Sequence, residues 1–93
     1  MGSVRKGRDI DAGLCGAGFV RTIDGDHVRY ILTETNVKTK VSHGAMGDTI
    51  GANLISRMSR QLHLSEQQFL ALIDGELSED EYREILRNEG IIS

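Results

Sequence analysis

Three histidines and a scatter of basic side chains are the residues in this chain best suited to chemistry. His27 stands in Gly18-Phe19-Val20-Arg21-Thr22-Ile23-Asp24-Gly25-Asp26-His27-Val28-Arg29-Tyr30, just past the turn signal Asp24-Gly25. Histidine titrates near neutral pH, so it can take or give a proton during a reaction. Arg29, Lys38 and Lys40 follow it in the chain. Cleavage of RNA at a phosphodiester can use the internal 2′-OH as nucleophile. That step needs a group to accept the hydroxyl proton, and cations to stabilise charge on a phosphorane-like transition state. His27 with Arg29, Lys38 and Lys40 supplies both with no metal and no cofactor. Asp24 and Asp26 lie near enough in sequence to tune or orient the imidazole. The plainer role for His27 is a hydrogen-bonded surface residue at the start of a strand.

Other chemistries find less support. A three-histidine metal site would need His27, His43 and His63 to converge, and they fall in separate elements without a His-Glu-x-x-His spacing. No metal is expected. His63 falls at the end of a predicted helix, where it can interact with the helix dipole. No Gly-x-Ser-x-Gly elbow is present, and Ser42 and His43 are neighbours on a strand, with side chains on opposite faces. Cys15 reads as a small apolar residue of a first helix rather than a nucleophile. The glycines of Gly13-x-x-Gly16-x-Gly18 neither follow a strand nor open a helix, so they do not make a phosphate loop.

The elements that must hold these residues can be read from pattern. Residues 8–16 read as a short first helix, with Asp9 as a cap and Ile10, Leu14 and Cys15 on one side; its glycines weaken it. Phe19–Ile23 and Asp26–Leu32 flank the turn Asp24-Gly25, and a second turn at 33–36 leads to a strand Val37–Ser42. The expected result is a three-stranded antiparallel meander. A turn at Asp24-Gly25 sets Thr22 opposite His27, Val20 opposite Arg29 and Phe19 opposite Tyr30. The second loop sets Ser42 opposite His27, Lys40 opposite Arg29 and Lys38 opposite Ile31. One face then carries Phe19, Val28, Tyr30, Leu32, Val37 and Val41 as core. The other carries Thr22, His27, Arg29, Lys38, Lys40 and Ser42. Arg29 opposite Lys40 is a mildly unfavourable like-charge pair that a bound anion would relieve; an ordinary solvated face is the alternative.

After Ser42-His43-Gly44, Asp48 reads as the N-cap of a helix running to about Leu62, with Ile50, Leu54, Met58 and Leu62 as its apolar stripe and Asn53, Arg57 and Arg60 on another side. The tail holds a short repeat. Leu64-Ser65-Glu66-Gln67-Gln68-Phe69 matches Leu77-Ser78-Glu79-Asp80-Glu81-Tyr82, each Ser capping a short helix and forming a capping box with Gln68 or Glu81. Gly75 and Gly90 read as helix stops. Phe69, Leu70, Ile73, Tyr82, Ile85 and Leu86 read as packing residues. The whole is α+β, in the order α-β-β-β-α plus two short C-terminal helices. Residues 1–63 form the main domain and residues 64–93 a helical extension packed on it.

Size and composition bound the function further. The chain of 93 residues fits one small domain with a modest core. It has no tryptophan and only four aromatic residues, which leaves little for an aromatic cage or a stacked cofactor. A single cysteine excludes an intrachain disulfide and a Cys-rich zinc site, and fits a reducing compartment. No signal-peptide or transmembrane run is evident, so a cytoplasmic protein with no membrane partner is expected. Met1-Gly2-Ser3 also fits a tag remnant. Residues 1–60 hold nine Lys/Arg and six Asp/Glu, a net of +3, whereas residues 61–93 hold two and eight, a net of −6. The basic front half is the part suited to nucleic acid.

With these residues in place, the chain resembles the HicA family of toxin–antitoxin ribonucleases. The resemblance covers about residues 8–62. Its elements are a short first helix ending in Gly18-Phe19, a hairpin bearing Gly25-Asp26-His27, a third strand ending in Val41-Ser42-His43, and a following helix with Ile55. It implies an α-β-β-β-α sandwich like a double-stranded-RNA-binding domain. It also implies a toxin of a type II system that cuts mRNA and is silenced by a HicB-like antitoxin. His27 matches the family's active histidine and His43 its second histidine; Arg29, Lys38 and Lys40 would bind phosphate, with Ser42 or Thr22 positioning the imidazole. Two features depart from the family. Asp26 stands where a serine is usual, and the acidic tail from Leu64 onward exceeds the usual short form. That tail could buttress the sheet, contribute to a homo-oligomer or contact the antitoxin. Two rival functions remain: a non-catalytic RNA-binding or protein-interaction module of the same fold, and an adaptor whose working part is the tail.

Overall fold

The computed structural model describes residues 4–93; Met1-Gly2-Ser3, and with them the tag-remnant expectation, lie outside the described residues. Along the chain run β1 (Arg5–Lys6), α1 (Gly7–Gly16), β2 (Phe19–Asp24), β3 (His27–Leu32), β4 (Lys38–Ser42), a 3₁₀ turn (Ala45–Gly47), β5 (Thr49–Ile50), α2 (Ala52–Gln61), α3 (Glu66–Ile73) and α4 (Glu79–Asn88). The fold is α+β. A three-stranded antiparallel sheet in the order β2-β3-β4 carries four helices, and β1 pairs with β5 in a separate small ribbon.

The sheet follows from alternation. Val28, Tyr30 and Leu32 of β3 and Val41 of β4 face inward and are buried, while His27, Arg29, Lys38, Lys40 and Ser42 face out. Ile10, Leu14 and Ala17 of the α1 region and Ile55, Met58 and Leu62 of the α2 region close the inner face in one continuous core. Thr39 was not among the expected core residues, yet it is buried on that same face, its hydroxyl donating to the Gln61 side chain.

Several boundaries differ from the sequence expectation, each for a local reason. The hairpin turn is Gly25-Asp26 rather than Asp24-Gly25, and Asp24 pairs with His27. Gly25 supplies a positive φ of 62° at the first central position, where this two-residue turn accepts glycine readily. The β2–β3 register is therefore two residues away from the expected one. Thr22 lies opposite Arg29, Val20 opposite Ile31 and Phe19 opposite Leu32. A shift of two keeps every side chain on its expected face. The β3–β4 register is as expected, with His27 opposite Ser42, Arg29 opposite Lys40 and Ile31 opposite Lys38.

Asp48 does not cap α2. Pairing of Arg5 with Ile50 and Lys6 with Thr49 draws residues 49–50 into a strand, so the helix starts later, behind Gly51. Ile50 is buried from β5, not from the helix, and Ile55 and Ser59 take core positions while Leu54 is half-buried. Cys15 is exposed rather than packed with Ile10 and Leu14. The glycine at position 13 has a packing reason: a Cβ there would lie 2.6 Å from the Ile73 carbonyl oxygen, so α1 and α3 approach backbone to backbone. Arg5 ties β1 to the end of α3 through two bonds to Asp74, at 3.0 and 2.8 Å, which hold the Asp74 carboxyl below its usual pKa.

The tail completes the core. Both capping boxes form as the repeat predicts, with Ser65 accepting from the Gln68 N–H and Ser78 from the Glu81 N–H. Both helices are followed by left-handed glycines, Gly75 and Gly90. Phe69, Leu72, Ile73, Tyr82 and Leu86 belong to the same buried cluster as the sheet. Tyr82 stacks on Phe19, with ring centroids 5.9 Å apart, and its hydroxyl donates to the Leu62 carbonyl at 2.9 Å. Burial pushes the Tyr82 phenol well above its ordinary pKa. Tyr30 is raised likewise, by burial first and then by its bond to Asp11.

Three outcomes follow. Removal of residues 64–93 exposes the inner face, so the remaining chain should lack a cooperative thermal transition by circular dichroism. Tyr82→Phe leaves a buried carbonyl short of its donor and should cost about 1–3 kcal/mol in urea unfolding. Because both phenols stay neutral in the folded chain beyond the unfolded value near ~10, the unfolded state loses its protons first. Stability should therefore fall as pH rises through about 10–11, a loss that thermal melts across that range would show and that Tyr82→Phe should lessen.

Candidate nucleic-acid interface

The outer face of the sheet is left uncovered by the helices. Its cross-strand rows run Val20–Ile31–Lys38, Thr22–Arg29–Lys40 and Asp24–His27–Ser42. The Leu32 N–H bonds the Val37 carbonyl at 2.9 Å, and the His43 N–H bonds the Asp26 carbonyl. Ladder bonds between β3 and β4 therefore fall at the inward-facing residues. The outward pairs His27–Ser42, Arg29–Lys40 and Ile31–Lys38 occupy the non-hydrogen-bonded positions, where opposed Cα atoms are only about 4.5 Å apart. Arg29 and Lys40 are thus like charges at close quarters. Arg29, Lys38 and Lys40, with Thr39 and Gln61 at the β4 edge, line an open groove of about 410 Å³.

Asp24 offsets part of this charge. Its carboxylate pairs with Arg29 at 3.0 Å, diagonally across the hairpin. Both side chains are substantially exposed, so the pair contributes at most about 1 kcal/mol. A phosphate offered to Arg29 competes with a partner that is weakly held.

The structure brings together four of the expected site residues: His27, Arg29, Lys40 and Ser42, with Lys38 one row further along. His27 is exposed, and its imidazole makes no hydrogen bond or ion pair among the described residues. Ser42 lies across from it as expected, but its Oγ is also engaged, accepting from the Ala45 N–H at 3.1 Å at the start of the 3₁₀ turn. Thr22 is displaced from His27 by the register change and stands beside Arg29; Asp24 takes its place. His43 is at the same end of the sheet but on the helix side, where it shares a groove with Asp11, Arg21 and Tyr30. His63 lies beyond the end of α2 in a left-handed conformation, φ 64°. The three histidines stay apart.

Thr39, at the edge of this groove, was not foreseen, and Asp24 was foreseen near His27 in sequence but not in its cross-strand row. Strict alternation through Val37 and Val41 points to Thr39 as an inward residue, but its polar type hid it. Asp24 was assigned to the turn and so was not placed beside His27. No described helix is long and apolar enough to cross a membrane. Comparison of the chain with protein-family profiles, with curated proteins and with solved structures gave no match.

Lys40→Glu separates the two consequences of this arrangement. It converts a like-charge pair into an opposite-charge pair, which should raise stability by about 0.2–1 kcal/mol. The same change should weaken binding of a single-stranded RNA oligonucleotide, measured by fluorescence anisotropy at low salt.

Proposed function

We propose that this chain is a metal-independent endoribonuclease whose working surface is the outer face of the sheet. The observation that carries the proposal is the row geometry: an unpartnered histidine one row from a close Arg29–Lys40 pair, on a face left open. His27 would accept the proton of a 2′-OH. That oxygen attacks the adjacent phosphorus, the bond to the 5′-oxygen breaks, and the departing oxygen takes a proton from the imidazolium or from water. Arg29 and Lys40 face the charge that gathers on the phosphoryl oxygens, and Lys38 lies along the path of the next phosphate. Ser42 retains a hydroxyl hydrogen to donate to His27 or to substrate. Val20, 55 % exposed, and half-buried Ile31 offer apolar surface to bases at the far end of the face.

The resemblance to HicA toxins supports this assignment and extends it. On that basis the sheet with its covering helices corresponds to a double-stranded-RNA-binding-domain-like sandwich. The substrate is mRNA, the chain is the toxin of a type II pair, and a HicB-like antitoxin silences it. The second function, a binding module without cleavage, is favoured by one observation: Asp24 and Asp26 flank His27, and no hydrogen bond among the described residues fixes the orientation of its ring. Lys38 and Lys40 also serve a structural end there, since lysines on an exposed edge strand discourage edge-to-edge aggregation.

Purified His27→Ala decides between the two. The residue is exposed, so the fold should be unchanged, RNA affinity should be largely kept, and cleavage of a labelled RNA should fall by about 10²-fold or more. Parent-level cleavage by the variant removes His27 from the mechanism. Binding without cleavage by the parent chain establishes the module instead.

A further inference from the structure

A second concave surface lies on the helix side of the sheet, at the same end as His27. It is an open groove of about 500 Å³ between the start of α1, the β2–β3 hairpin and the segment after β4. Three observations set it apart. Ile23 lies on the inward face of β2, opposite buried Val28, yet is 57 % exposed because no helix reaches the hairpin end. Two guanidiniums stand at the rim. That of Arg21 is held at 3.0 Å by Asp11, itself fixed by the Tyr30 hydroxyl at 2.7 Å. Arg8 is 77 % exposed and, among the described residues, makes only a 3.9 Å contact with Asp9. The third observation is His43, whose side chain makes no hydrogen bond among the described residues, while its backbone N–H is bonded to Asp26, the neighbour of His27. His27 and His43 are therefore anchored at one end of the sheet and face opposite ways.

A ligand complementary to this groove needs an anionic group for Arg8, since the Asp11 carboxylate in the same groove already holds Arg21, a hydrogen-bonding edge for His43 and a flat apolar surface for Ile23. A free phosphate or carboxylate meets only the first requirement. A nucleotide meets all three, and the volume falls in the ordinary range for small-molecule sites. The geometry points to a nucleotide-binding groove, with phosphate on Arg8, the base against Ile23 and its polar edge at His43. It rests on the RNA reading of the open face in one respect: a strand rounding the hairpin end would pass from His27 into this groove.

The test is an NMR titration of the full chain with adenosine and uridine 5′-monophosphates, and in parallel with inorganic phosphate. The Ile23 methyl and His43 ring signals should shift and saturate with the nucleotides in roughly the millimolar range. Arg8→Ala and Ile23→Ser, both at exposed positions, should each weaken nucleotide binding roughly fivefold or more. Fixed Ile23 and His43 signals at about 10 mM nucleotide overturn the proposal. Equal affinity for inorganic phosphate, with no effect of Ile23→Ser, overturns it too. Saturable shifts in a chain that cuts no RNA establish the groove while removing the open-face nuclease. Cleavage of RNA by a chain whose groove signals stay fixed does the reverse.

Discussion

Strand β3 must satisfy two surfaces at once, and the rest of the structure depends on how it does so. Successive side chains of a strand point to opposite faces. Burying Val28, Tyr30 and Leu32 under the helices therefore obliges His27, Arg29 and Ile31 to stand on the other side. As the central strand, β3 also brings both neighbours into register, which sets Asp24 and Ser42 on either side of His27, and Thr22 and Lys40 on either side of Arg29. The hydrophobic burial that stabilises the sheet is thus the same constraint that assembles the basic face. It does so without any of the outward residues contributing much to stability.

The inner face needs more cover than α1 and α2 provide. The acidic tail supplies it, through Phe69, Tyr82 and Leu86 in particular. Tyr82 is the link between layers: it stacks on Phe19 at the start of β2 and donates to the end of α2. This packing also separates the charges: the carboxylates of α4 follow from the solvent-facing side of a core helix, while the open face of the sheet keeps its arginine and lysines.

Legibility in the sequence tracked the strength of the local signal. The two capping boxes were readable to the residue because a capping box is satisfied within four residues of chain. The two faces of the meander were readable because period-two alternation survives a slip of two. The β2–β3 register itself was not, since Asp24-Gly25 and Gly25-Asp26 are both good turn pairs and only the folded ladder chooses between them. The start of α2 was misplaced because Asp48 looks like a cap locally, whereas the pairing of residues 49–50 with 5–6 is remote in sequence. At the site, His27, Arg29, Lys40 and Ser42 were placed together correctly. Asp24 in place of Thr22, and His43 on the far side, required the three-dimensional arrangement.

In the proposed function, the face bearing His27 cuts RNA through the substrate's own 2′-hydroxyl. End-group analysis of RNA treated with the purified chain in the presence of a chelator tests it most directly. Products carrying 2′,3′-cyclic phosphate and 5′-hydroxyl ends are the predicted result. Fragments with 5′-phosphate ends, or RNA left intact by a folded chain, would contradict it.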